Sequence, residues 1–249
     1  VSAEVSWRIG ACRVAAAAGS VTGVRYDRNY DVLHLAADRP LAIVADGMGA
    51  GEGSAAAGRL AVETFATRCA DPAPAALRGV VSEVHSLVRD KARTLSELTG
   101  CTLTAVTGVG ADGGGEAAVR IVQLGDSRAY RLRAGLLELL TVDHTVAWLG
   151  LVHGWYAAGD PHAQADGYRL TRYAGHPDRP DPDVLDVPLR PGDRLLLCTD
   201  GVSGQLDYQQ LARLLDEGRP AGAVRALLDA TLAAGGQDNA TAIVLAVTR

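Results

Sequence analysis

Four aspartates stand where an apolar run stops or starts, a placement from which an oxygen-only cation site can be built. Asp46 follows the run 41–45 (LAIVA) and opens the turn Asp46-Gly47-Met48-Gly49. Asp200 repeats the pattern after 195–199 (LLLCT) and is again followed by a glycine, Gly201. Asp126 closes the run 121–124 across Gly125, and Asp238 precedes the last apolar stretch, 241–247. A strand that ends on Asp-Gly puts a carboxylate at the rim of its sheet, and the glycine leaves its own backbone open to close approach. Carboxylates, carbonyls and water suit Mg²⁺ or Mn²⁺ rather than zinc. Two such ions commonly activate a water and clamp a phosphate for in-line attack. Asp-Gly is also hairpin chemistry. Of the four such pairs, Asp112-Gly113 and Asp166-Gly167 lie in polar or glycine-rich surroundings and are predicted to be ordinary turns. Four unrelated turn acids is a reading that spacing alone does not refute.

The elements that must position these acids follow from periodicity. Alternation at 5–9 and 32–35 predicts short strands around a turn at Gly19 to Gly23, then strand 41–45. Residues 52–69 read as a small-residue helix. A second helix follows Pro72 and Pro74, with Leu77, Val80, Val81, Val84, Leu87, Val88 and Leu95 at helical spacing. Short strand candidates at 102–109, 118–124, 129–132 and 136–140 have no helix between them and should pair antiparallel. Residues 141–185 read as irregular, with Trp148 and Trp155 packing under the loop. Strand 194–199, helices near 208–217 and 221–234 and strand 241–247 complete one domain, 1–249. This order predicts an α+β fold, two antiparallel sheets face to face with helix pairs on their outer sides.

Composition narrows the classes. A chain of 249 residues, 48% hydrophobic, can bury a full core. A net charge of -5, with Lys91 as the only lysine, gives no footprint for nucleic acid. No apolar run is long enough to span a membrane. The four cysteines are dispersed, which argues against structural zinc and disulfides and fits a reducing cytoplasm. Gly47-Met-Gly49-Ala-Gly51-Glu-Gly53 superficially suggests dinucleotide binding, but the glycine spacing is wrong and an acid directly before it would repel a pyrophosphate.

Six stretches in order, VADGMG (44–49), QLGDSRAY (123–130), LTVDHT (140–145), LTRYAG (170–175), GDRLLLCTDGVSG (192–204) and GGQDNATAIV (235–244), together resemble the metal-dependent protein phosphatases of type 2C, especially the bacterial branch. The resemblance covers essentially the whole chain and implies a four-layer α-β-β-α sandwich. It implies that Asp46 bridges two Mn²⁺ or Mg²⁺ ions, that Gly47 gives its carbonyl to one, and that Asp200 and Asp238 hold the other. Asp126 resembles the ligand of a third, weaker metal. A hydroxide between the two main ions would then attack phosphoserine or phosphothreonine directly, opposing a bacterial serine/threonine kinase. Partners would be phosphorylated proteins, and the chain a monomer. The segment 145–185 corresponds to the family's flap, expected to set substrate choice.

Two departures stand out. The family's opening R-x-x-N-[E/Q]-D is here Arg25-Tyr-Asp-Arg28-Asn29-Tyr30-Asp31, one residue longer, with a tyrosine where a metal-shell acid or amide is usual. Arg25 is the expected phosphate clamp, a planar donor suited to bidentate contact; Arg28 is its rival, and Asp31 the acid that could compensate through water. Met48 also replaces a histidine that some members carry, leaving His144 and His153 as protic candidates, with His144 read as structural. Two alternatives remain: a pseudophosphatase that binds phosphoproteins without turnover, and a phosphatase specialised for sigma-factor regulators.

Overall fold

The structure, a computed structural model, describes residues 1–109, 116–157 and 159–249. Asp112-Gly113 lies outside them. One antiparallel sheet runs in the order β1 (Val5–Ile9), β2 (Cys12–Val21), β11 (Ala240–Thr248), β10 (Arg194–Cys198), β7 (Arg128–Arg133), β8 (Leu136–Leu139). The other runs β3 (Val32–Leu35), β4 (Leu41–Ala45), β5 (Leu103–Val109), β6 (Ala118–Leu124), β9 (Asp183–Pro188). Helices α1 (Glu52–Arg68) and α2 (Pro74–Ala92) cover the second sheet, and α6 (Tyr208–Leu215) and α7 (Pro220–Ala233) cover the first. This is the predicted α-β-β-α sandwich.

Strand alternation produces the layers. In β4, Ala42 and Val44 face the other sheet while Leu41, Ile43 and Ala45 face α1 and α2, so the strand reads as continuously apolar. β10 does the same, with Leu195 and Leu197 between the sheets and Leu196 and Cys198 under α6 and α7. Phe65 on α1 is fully buried against α2 and the sheet. Phe65→Ala is expected to cost about 3–5 kcal/mol in a denaturant melt, through lost burial and the cavity left behind. A loss below about 1 kcal/mol would contradict that placement.

The sandwich also gathers the acids. Strand direction alternates, so the C-terminal ends of β4, β6 and β10 share a rim with the N-terminal ends of β5, β7 and β11. Asp46 leaves β4 there, Asp200 leaves β10, and Asp238 enters β11. Residues 125–127 carry the chain from one sheet to the other at the same rim, which brings Asp126 in. The link 22–31 between β2 and β3 makes a second crossing, because Val21 pairs with Ala240 and Val32 with Ala45.

Several expectations need correction. The first turn falls at Gly10-Ala11, and β2 runs through Gly19. A side chain at Gly19 would meet Val224 at 2.8 Å and Leu228 at 2.9 Å, so this glycine admits α7 against the strand. β6 and β7 are sequential but lie in different sheets. The 141–185 stretch is not wholly irregular: it holds α3 (Val146–Val152), α4 (Pro161–Asp166) and the start of β9. Asp166-Gly167 ends α4 rather than making a free turn. Leu95 falls beyond α2 and Leu87 is partly exposed. Trp148 and Trp155 are 43% and 62% exposed rather than packed under the loop. Among the described residues no helix is long and apolar enough to cross a membrane.

Candidate metal centre

Asp46 is fixed by its backbone. Its N–H donates to Thr102 Oγ1 at 2.8 Å, and its carbonyl accepts from Thr102 N at 2.9 Å. Gly47 then bridges to Cys101, and Met48 N donates to Gly100 O at 3.0 Å. Asp200 opens the four-residue helix α5 (Asp200–Ser203). Gly201 makes that position reachable: a Cβ there would lie 1.9 Å from Asn239 O, so only glycine lets α5 abut the strand entry that carries Asp238. Behind Asp126, Ser127 Oγ and Thr102 Oγ1 are 2.7 Å apart, and Thr104 Oγ1 donates to Ser127 O. This buried polar network ties the Asp126 crossing to the Asp46 turn.

The result is a cleft of about 200 Å³ whose walls include Asp46, Gly47, Asp126, Asp200 and Asp238. Among the described residues lining it, none carries a positive charge. Asp31 stands behind. Thr199 and Thr241 donate their hydroxyls to its Oδ2 at 2.8 and 2.7 Å, while its Oδ1 is buried without a partner. Asp200 Oδ1 is likewise buried and unpartnered. Burial, and then the mutual repulsion of the acids, pushes the Asp31 carboxyl up to about 7. The same causes push Asp126 to about 8 and Asp46 well above the carboxylate range. Asp238 is raised too, again chiefly by burial.

Unpartnered carboxylate oxygens crowded beyond what bare charge tolerates, with no histidine or cysteine among the described residues lining the cleft, fit a hard divalent cation. No three acid, histidine or cysteine side chains among the described residues close on one point. That is compatible with Mg²⁺ or Mn²⁺, which take few carboxylates each and keep several waters.

The expected clamp residues fall outside the walls. Arg25 sits exposed at the mouth, where its Nε donates to Gln237 Oε1 at 3.0 Å. Its charge reaches Tyr26 and Asp238. Arg28 lies 5.1 Å over the ring of Tyr30 and faces Glu52 and Glu97. Tyr30 is buried edge-on against Tyr26 and does not line the cleft.

A family profile described as Protein phosphatase 2C matches residues 27–234. The chain belongs to the protein phosphatase 2C family. The serine/threonine phosphatase stp of Listeria monocytogenes is 28% identical over 217 residues, 84% of each chain. The PPM Ser-Thr phosphatase MsPP of Mycobacterium smegmatis, solved in complex with cacodylate, superposes with a TM-score of 0.81 at 30% identity, covering 93% of this chain and 97% of that one. The catalytic domain of the serine/threonine protein phosphatase PstP, solved with two manganese ions, gives 0.81 at 28% identity, covering 96% and 100%.

Within this protein phosphatase 2C fold, some cleft residues escaped the sequence reading. Tyr26 lines the cleft beside the acids, and burial plus their charge raises its phenol. Leu98, Tyr168 and Leu170 also line it. Tyr26 was legible only as the residue after Arg25 and Leu170 only as the first residue of LTRYAG; Leu98 and Tyr168 carry no motif. His144 is structural, as expected. Its Nδ1 accepts from Gly125 N at 3.1 Å, leaving Nε2–H to donate to Asp183 at 3.0 Å. His153 stacks on Trp155 away from the cleft.

Proposed function

We propose that this chain hydrolyses phosphoserine and phosphothreonine in proteins with the help of two bound divalent cations, Mn²⁺ or Mg²⁺. The observation that carries the reading is one rim cleft walled by four aspartates, with unpartnered carboxylate oxygens on Asp200 and on Asp31 behind it. Asp46 would be shared by both ions, the Gly47 carbonyl would face one, and Asp200 and Asp238 would hold the other. Asp126 would serve a third, and Asp31 would act through water. When bound, the ions supply the positive charge that polarises a phosphoryl group and the water that attacks it.

The protein's own groups do the rest. A cleft walled by carboxylates repels a phosphate dianion, so substrate enters only once that charge is compensated. Arg25 at the mouth then orients the phosphate, and Tyr26 offers a hydroxyl beside it. Arg25→Ala is expected to raise KM about tenfold with a smaller change in kcat. Arg28→Ala should do less, because its guanidinium is already committed to Tyr30 and the acids beyond it. Equal effects of the two would contradict the assignment. Asp31, with a free oxygen beside the cluster, supports turnover over a binding-only role despite Tyr30.

By its family the natural opponent would be a serine/threonine kinase, with the chain acting as a cytoplasmic monomer. The test is phosphate release from a phosphothreonine peptide with Mn²⁺ and then with excess chelator. Metal-dependent release supports the reading, whereas a folded protein that binds Mn²⁺ and releases nothing would replace it with phosphoprotein binding alone.

A further inference from the structure

The acid cleft does not end at its own walls. A groove bordered by Asp126, Asp200 and Tyr168 on the cleft side continues past Arg128 and Asp143. Arg128, Asp143 and Gly167 then border a larger recess of about 500 Å³. Its walls are mostly apolar: Leu139 and Val142 from the end of β8 and beyond, and Ala147, Trp148 and Leu151 from α3. Leu139, Trp148 and Leu151 are 44%, 43% and 39% exposed, a grouping of large apolar side chains on one surface that the fold does not need. Arg128 and Asp143 meet in a two-pronged ion pair, at 2.9 and 2.6 Å, so the border of the recess itself is charge-neutral.

We infer that this recess is a substrate subsite that takes a large apolar side chain of the phosphoprotein, two to four residues from the phosphorylated serine or threonine. The inference rests on the phosphatase reading above. Continuity with the cleft argues for the substrate polypeptide as the occupant. The Cα atoms of Asp126 and Arg128 can be no more than about 7 Å apart, and an extended peptide covers about 7–14 Å in two to four residues. A peptide held at its phosphate would therefore reach the recess without bending. Trp148 and Leu151 on a short helix, facing Leu139 and Val142, make a two-sided slot for a leucine or phenylalanine. The Arg128–Asp143 pair lets neutral backbone pass.

The experiment compares phosphothreonine peptides carrying phenylalanine or alanine at each of positions two to four on either side of the phosphoresidue. The native protein is expected to favour at least one phenylalanine peptide by about tenfold or more in kcat/KM. Trp148→Ala and the slot-filling Ala147→Trp should each bring that ratio close to one. Neither should change turnover of a small aryl phosphate, which does not reach the recess. Binding of the same peptides by Asp200→Asn, followed by titration calorimetry, tests the slot independently of turnover. There the phenylalanine peptide should bind more tightly, and the difference should vanish once Trp148→Ala is added. Equal kcat/KM for phenylalanine and alanine peptides, or a preference that survives both slot variants, overturns the inference while leaving phosphatase activity intact. Absence of aryl phosphate turnover in the native protein instead strikes the phosphatase reading, and the binding comparison then decides the slot alone.

Discussion

Asp200→Asn is expected to lower kcat/KM by on the order of 10³-fold or more while leaving the folded protein as stable as before, or more stable, in the absence of metal. Asparagine keeps the size and one oxygen of the side chain, so packing around α5 is retained. What it removes is a negative charge beside Asp31, Asp46, Asp126 and Asp238, each of whose carboxyls feels Asp200 as a repulsive neighbour. Asp200 Oδ1 has no hydrogen bond to lose. A core acid would behave oppositely, costing stability when altered. The paired readout, activity down and metal-free melting temperature level or up, separates a ligand from a structural residue. Full activity in a correctly folded mutant would remove Asp200 from the site.

The second large effect concerns metal and pH together. Asp31 and Asp126 have carboxyls raised to about 7 and about 8, and Asp46 higher than the ordinary range, all chiefly through burial. Unfolded, these groups ionise near pH 4. Between about pH 4 and pH 8 the folded metal-free state therefore holds more protons than the unfolded one, so stability falls as pH rises. For Asp31 the displacement from 3.8 to about 7 corresponds to on the order of 4 kcal/mol. Divalent cations take the place of those protons and bind the folded state selectively. At pH 8, saturating Mn²⁺ should raise the melting temperature above the chelated protein by about 10 °C or more. At pH 5, where protons compete for the same oxygens, the gap should narrow. A melting temperature indifferent to both metal and pH in this window would mean that the acids are not a cation site.

The acids themselves were legible because their signal is local. An apolar run long enough for one buried strand, then Asp-Gly, fixes both the element and the end at which the carboxylate emerges, as at Asp46 and Asp200. What sequence alone could not supply was how the ends meet. That follows from the sheet order, in particular from the three-residue crossing at Asp126, where strands adjacent in sequence join different sheets. β9 was hidden because its residues, DVLDVP, carry two aspartates that break strict alternation, and follow a proline-rich stretch, as suits an edge strand. α5, at four residues, is too short to show a helical period. The long β2 was missed because Gly19 to Gly23 was read as a turn, whereas the missing side chain of Gly19 serves contact with α7. Trp148 and Trp155 were assigned to packing because large aromatics usually bury; their exposure is tertiary information.

The cation site is tested most directly by the number of Mn²⁺ ions bound per folded chain, measured by equilibrium titration on the native protein, Asp46→Asn and Asp200→Asn. With Asp46 shared between two ions and Asp200 holding one, the native chain should bind at least two. Asp46→Asn should weaken both, and Asp200→Asn should weaken one while sparing the other. Native stoichiometry and affinity retained in both folded variants would contradict a two-ion centre at this rim.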